Sequence, residues 1–139
     1  MSTIDRSRSL TQLESDDWGP PNFPSSLVER IHRLRYLPLE RFGAGELRVC
    51  IGQKMSLSIL VPLALERLEE DPFLEGDFYE GDLLAAVLRV EEAHWIANPK
   101  QAARAEAIAR AAADDPRVEG DVEMRANINA FVLARSPAG

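Results

Sequence analysis

Residues 57–68 limit the possible folds of this chain more than any other segment. Leu, Ile, Val or Ala occupies eight of these twelve positions, so a helix built from them has almost no polar face for water. Such a helix is stable only in the interior of a folded domain. We therefore predict that residues 57–70 form a buried central helix, which Pro62 either kinks or breaks into two pieces.

The segments around this helix carry helix signals and no strand signals. Ser9 and Ser26 each stand three positions before Gln or Glu, which is the spacing of a capping box. No pair of alternating apolar runs is joined by a hairpin turn. The predicted fold is all-α, a single-domain orthogonal bundle of about six to eight short helices around the central helix. Further helices are expected over residues 27–36, 78–90, 101–113 and 122–133.

The charge of the chain is concentrated in one place. There are 16 Lys and Arg against 23 Asp and Glu, a net charge of −7. Residues 69–82, here called the acidic segment, contain seven carboxylates and no Lys or Arg, and the rest of the chain holds 16 basic and 16 acidic residues. A negative surface repels phosphate, which argues against nucleic acid as a partner and favours a basic one.

The electrostatics of the neighbouring helices favours negative charge at one end of the acidic segment and disfavours it at the other. Residues 77–82 precede a predicted helix, where Asp77 and Glu80 have capping-box spacing and negative charge is favourable. Residues 69–71 instead end the central helix, where the helix dipole disfavours each anion by about a few tenths of a kcal/mol. Either distant arginines fold back over these carboxylates or they bind a cationic partner. Tyr79 would be an aromatic anchor in such an interface.

Residue types that usually carry catalysis or bind metal are sparse. His32 and His94 have no second His, Cys or carboxylate at metal-ligand spacing. Cys50 lies between apolar residues without a group that would activate its thiol, so we interpret it as a buried apolar residue. Neither a metal site nor a cofactor site is predicted. A carboxylate pair in the acidic segment leaves a small enzyme as a minor alternative.

The chain carries no sign of a membrane or secretory destination. Its first residues, Met-Ser-Thr-Ile-Asp-Arg-Ser-Arg, lack the apolar region of a signal peptide. Its longest apolar stretch is far shorter than the roughly 20 residues that span a bilayer. A single cysteine suits a reducing compartment. These features favour the cytoplasm and exclude a membrane partner from the prediction.

Several motifs resemble the immunity proteins of bacterial contact-dependent growth inhibition (CDI) systems. The more specific ones are Ile51-Gly52-Gln53 and the run Gly-Asp-Phe-Tyr-Glu-Gly-Asp-Leu-Leu over residues 76–84, to which Asp17-Trp18-Gly19 and Trp95 add. The resemblance covers about residues 10–98. We accordingly divide the chain into a flexible N-terminal arm (1–8), a helical immunity domain (9–116) and a helical C-terminal extension (117–139).

The resemblance implies a binding protein without catalytic activity. Immunity proteins of these systems protect the producing cell by binding the C-terminal toxin domain of a large exoprotein and blocking its active site or substrate surface. Many of these toxins are nucleases that act in the cytosol, and their substrate sites are basic because they bind phosphate. The expected partner is therefore the cognate toxin domain, a basic nuclease bound 1:1, and no cofactor is expected.

The acidic segment supplies most of the candidate interface residues. We expect them to pair with the Lys and Arg that the toxin uses for its substrate, since opposite potentials speed association and select the partner. An acidic adaptor or scaffold subunit unrelated to toxins is the alternative that the same charge pattern permits. The candidates are Glu69, Glu70, Asp71, Glu75, Asp77, Tyr79 and Glu80, with Asp16 and Asp17 as a second acidic group beside Trp18.

Overall fold

The computed structural model describes residues 4–20 and 25–135 of the chain. Within these residues it contains eight α-helices, two short 3₁₀ helices and no strand, so the predicted all-α class is confirmed. The α-helices are α1 (Leu10–Glu14), α2 (Ser26–Leu34), α3 (Ala44–Gly52), α4 (Leu57–Glu70), α5 (Asp82–Leu88), α6 (Glu92–Ala97), α7 (Pro99–Ala113) and α8 (Val122–Arg135); the 3₁₀ helices are Leu39–Arg41 and Pro116–Val118.

Helix α4 is the centre of the bundle, as its apolar sequence predicts. Helices α3, α5 and α7 pack against it from different sides. Burial on several sides at once is what an almost fully apolar helix requires. The side chains with no exposed surface are Leu60, Val61, Ala64, Leu65 and Leu68.

Pro62 does not break this helix, which runs from Leu57 to Glu70. The predicted break and restart is therefore wrong. Proline has no N–H, so the carbonyl of Ser58 one turn earlier loses its helical donor. Ser58 lies on the exposed side of α4, where water can bind that carbonyl and the missing bond is tolerated.

The outer helices complete the core on the side of α7. Helix α8 packs against α7 and α5, and α6 packs against α7. Trp95 in α6 is buried, donates from Nε1 to the carbonyl of Val90 at 3.2 Å and lies 5.4 Å from the ring of Phe131 in α8. One aromatic side chain thus joins α6 to α8.

Arg6 and Arg8, which precede α1, are bonded to later parts of the chain. The carbonyl of Arg8 accepts a hydrogen bond from the Leu39 N–H at 3.0 Å, and Arg6 pairs with Glu66 of α4 at 2.9 Å. The predicted capping box of Ser9 is present at the start of α1. At α2 the cap is Ser25 and not the predicted Ser26, because Ser25 has the extended backbone that lets its hydroxyl accept the Val28 N–H.

Helix α5 is shorter than the predicted helix over residues 78–90. It begins at Asp82, after Gly81, whose left-handed φ of +91° ends the preceding loop. The predicted capping box of Asp77 and Glu80 is therefore wrong, since both residues precede the helix. Residues 71–81 form a loop between α4 and α5 instead.

Candidate functional site

Asp82 determines the shape of the loop that carries most of the acidic segment. Its side chain is 2% exposed, although it is charged. Oδ1 accepts the Gly76 N–H at 2.6 Å, and Oδ2 accepts the Phe78 N–H at 2.8 Å. Two backbone donors several residues upstream are thereby tied to the start of α5. Asp82 thus fixes the backbone of the loop from the buried side, and the side chains of Phe78, Tyr79 and Glu80 are exposed.

Asp77 is drawn from this loop towards α2 and α3. Arg30 of α2 reaches it at 3.0 Å and Arg48 of α3 at 2.8 Å. The guanidinium of Arg30, followed by that of Arg48, holds the pKa of the Asp77 carboxyl below its usual value. Gly45 makes room for this contact, because a Cβ there would lie 2.4 Å from Asp77 Oδ1. Gly45 thus serves the packing of the loop against α3.

Distant arginines also reach the carboxylates at the end of α4. Arg104 of α7 binds Glu69 at 2.8 Å, and Arg117 binds Asp71 at 2.8 Å. These guanidinium groups lower the pKa of Glu69 and of Asp71 respectively. Of the two alternatives that the sequence left open, the structure therefore shows the first for Glu69 and Asp71, whose carboxylates are covered by distant arginines.

The remaining carboxylates of the segment stay on the surface without close pairing. Glu70 and Glu75 are exposed and have no ion-pair partner among the described residues. Glu80 lies 3.9 Å from Arg117, which already binds Asp71 and Asp115 at 2.8 Å. One guanidinium thus faces three carboxylates, and the cluster keeps negative charge. We call Glu70, Glu75 and Glu80 the acidic edge.

Two adjacent aromatic side chains are exposed beside the acidic edge. Phe78 is 73% exposed and Tyr79 is 47% exposed. The guanidinium of Arg48 lies 4.6 Å from the centre of the Phe78 ring, which supports the ring from one side. Aromatic residues are enriched among those that dominate binding energy at protein interfaces. Phe78, like Tyr79, stands within the run of carboxylates, and this position is the signal in the sequence that such a ring can be exposed.

The second acidic group lies elsewhere, beside Trp18. Asp16 accepts the Trp18 Nε1–H at 3.2 Å, while Asp17 accepts the hydroxyl of Tyr36 and the N–H of Gly19. Arg35 lies beneath the Trp18 ring at 4.3 Å. These contacts order the segment and leave Trp18 41% exposed at the side of a groove of about 540 Å³. Asp16 and Asp17 therefore do not form one cluster with the acidic edge.

The histidines and the cysteine take structural positions. His94 is buried, bonds through Nε2 to Gln101 at 2.8 Å and packs against Trp95. His32 contacts the Gly19 carbonyl and the Trp18 ring. Burial raises the pKa of the Cys50 thiol to about 12, so the reactive thiolate is scarce at neutral pH. Within the described parts of the chain, no group of His, Cys, Asp or Glu could hold a metal ion.

Comparison with known protein families assigns the chain. The family of CDI immunity proteins matches residues 12–105, more than half of the chain. The chain belongs to this family. CDI immunity proteins act against the toxin domain of the cognate system, and the match includes α4 and the whole acidic segment. No curated protein and no solved structure gave a significant match. Among the described residues of this CDI immunity protein, no helix has the length and apolar character needed to cross a bilayer.

Proposed function

We propose that this CDI immunity protein neutralises its toxin by 1:1 binding in the cytoplasm, without catalysis or a cofactor, and that the toxin domain is a nuclease. The acidic edge would cover the basic surface with which the toxin binds its substrate. The observation that carries this proposal is the set of surface carboxylates left without close pairing next to two exposed aromatic rings. Neither nucleic acid nor a membrane is proposed as a partner.

The charge pattern supports a nuclease as the target. A nuclease concentrates Lys and Arg where it binds phosphate, and a carboxylate surface can occupy those side chains in place of the nucleic acid. Glu70 and Glu75, which the structure leaves unpaired, and Glu80, with its long contact to Arg117, would carry the attraction to such a surface. Directed attraction of this kind raises the association rate and orients the partner.

The ion pairs suggest different roles for the candidate residues. Glu70 and Glu75 have no ion-pair partner among the described residues, Glu80 has only a long contact of 3.9 Å with Arg117, and Tyr79 would supply an apolar contact to the toxin. The paired carboxylates Glu69, Asp71 and Asp77 would contribute mainly to the structure of the surface, since a toxin cation has to displace an arginine to bind them. Asp16 and Asp17 form a separate, secondary candidate contact.

Binding measurements with the toxin domain encoded next to this protein test the proposal. Single reversals Glu70→Lys, Glu75→Lys and Glu80→Lys should each weaken the affinity by about tenfold at low salt. Glu40→Lys reverses an exposed glutamate outside the acidic segment and should have a clearly smaller effect. Raising the salt from about 50 to about 500 mM should weaken the wild-type complex, because screening reduces such attraction.

Cell growth provides the functional half of the test. Cells that express the toxin domain should survive with the wild-type protein and lose protection with the combined reversal of the acidic edge. The upstream reading frame should encode a large exoprotein with a basic C-terminal domain. Failure of the two purified proteins to form a complex, or an affinity independent of salt, would contradict the proposal and favour the adaptor alternative.

A further inference from the structure

A cleft of about 350 Å³ adjoins the acidic edge and differs from it in charge. It lies where the end of α3, the start of α4 and α5 meet, with the exposed rings of Phe78 and Tyr79 at one side. Its lining combines apolar residues such as Ile51, Leu57 and Ala86 with charged ones. An apolar side chain of a partner would therefore lose its contact with water on entering.

The charged groups that line this cleft are paired except for one. Arg48 binds Asp77 at 2.8 Å, Arg89 binds Glu123 at 3.0 Å, and Asp82 is 2% exposed and accepts two backbone N–H groups. Lys54 is exposed and has no ion-pair partner among the described residues. An unpaired cation is unexpected beside the segment that gives the protein its net charge of −7.

The backbone around Lys54 is also unusual. Lys54 and Ser56 have left-handed φ values of +59° and +51°, which residues other than glycine rarely adopt. Lys54 follows the C-cap of α3, where a left-handed residue commonly ends a helix, and the Met55 N–H donates to the Cys50 carbonyl at 3.0 Å. The hydrogen-bonded turn between α3 and α4 thus fixes the backbone of Lys54 at the cleft.

We propose that this cleft receives a segment of the toxin domain in which an apolar side chain stands next to a carboxylate. This inference rests on the proposed function and specifies the partner's chemistry. The apolar side chain would occupy the cleft between Phe78 and Ala86, and the carboxylate would pair with Lys54. Tyr79 lines the cleft and directly precedes Glu80 of the acidic edge, so one toxin domain would contact both.

The combination of charges gives this interface a fixed orientation. The acidic edge binds toxin cations, whereas the cleft binds a toxin anion, so a rotated complex would oppose like charges. A single carboxylate can approach the cleft, while a polyanion such as nucleic acid would meet the neighbouring acidic edge. The occupant is therefore a protein segment of mixed character.

Charge reversal at Lys54 separates this local pairing from general attraction. Against a basic toxin, an added negative charge at any unrelated position should leave the affinity unchanged or raise it. Lys54→Glu should instead weaken the complex by about tenfold or more, and Lys54→Met should have a smaller effect in the same direction. Lys100→Glu is the matched control, since Lys100 is exposed in α7 and has no ion-pair partner among the described residues.

Filling the cleft tests its apolar half. Ala86→Phe places a ring where the toxin side chain would lie and should weaken binding by about tenfold or more, whereas Ala103→Phe on the exposed side of α7 should not. Circular dichroism and the melting temperature of each variant establish that it is folded. If Ala86→Phe does not fold, the proposal is tested by comparing the toxin affinity of Lys54→Glu with that of Lys100→Glu.

The outcomes distinguish this inference from the proposed function. If the wild-type protein does not bind the toxin domain, both are wrong. If the wild-type protein binds and Lys54→Glu behaves like Lys100→Glu, the cleft proposal is overturned while the proposed function stands. Wild-type affinity in a folded Ala86→Phe variant also overturns it. So does binding of a labelled single-stranded oligonucleotide that depends on Lys54, because the occupant would then be nucleic acid.

Discussion

Asp82 is the side chain on which the shape of the acidic loop depends. It is almost fully buried and accepts two backbone N–H groups. Asp82→Asn replaces one acceptor oxygen by a donor, so one N–H loses its partner, and the free energy of unfolding should fall by about 1–3 kcal/mol. Urea denaturation measures this loss. The exposed control Asp114→Asn should change it by less than about 0.5 kcal/mol; equal effects at both positions would contradict this role for Asp82.

Helix α4 combines six buried residues with a proline in its interior. Pro62 removes a helical hydrogen bond without ending the helix. Pro62→Ala restores the N–H that can bond to the Ser58 carbonyl, and should raise the free energy of unfolding by up to about 3 kcal/mol. Leu65→Ala, at a fully buried position of the same helix, should lower it by about 2–5 kcal/mol. Denaturation of both variants tests this, and a less stable Pro62→Ala would show that the ring contributes more through packing.

The whole molecule should lose stability in acid because its long-range ion pairs join separate helices. Arginines lower the pKa values of Glu69, Asp71 and Asp77 in the folded state. Depressed folded-state pKa values contribute stability above the unfolded values of about 4, and this contribution is lost as the pH falls through the folded values. Asp77 should contribute most, because its side chain is 23% exposed against 44% for Glu69 and 40% for Asp71.

Unfolding measurements in urea from about pH 7 to about pH 3 test this acid sensitivity. The wild-type protein should become less stable below about pH 4 to 5, and Asp77→Asn should show a shallower decline because its side chain does not titrate. The neutral variant should also be less stable at pH 7, where Arg30 and Arg48 lose their shared carboxylate. Parallel pH curves for the two proteins would contradict a role for Asp77 in the decline.

The helical class and the position of the core can be predicted from the sequence because both depend on local patterns. Residues 57–70 are too apolar to lie anywhere except the centre, and the structure places them there. The predicted start of α5 lies too early in the chain. The prediction rests on capping-box spacing at Asp77, which is a local signal. The loop is instead shaped by backbone N–H groups that donate to the buried carboxylate of Asp82.

Sequence by itself determined where the negative charge of this protein lies, but not which carboxylates remain available to a partner. Arg30 and Asp77 are separated by 47 positions, Arg117 and Asp71 by 46, and Arg104 and Glu69 by 35. Pairs at such separations form only when packed helices bring their side chains together, and no local spacing predicts them. The tertiary structure therefore decided which carboxylates stabilise the fold, which form the acidic edge, and that a cleft with an unpaired lysine, Lys54, lies near them.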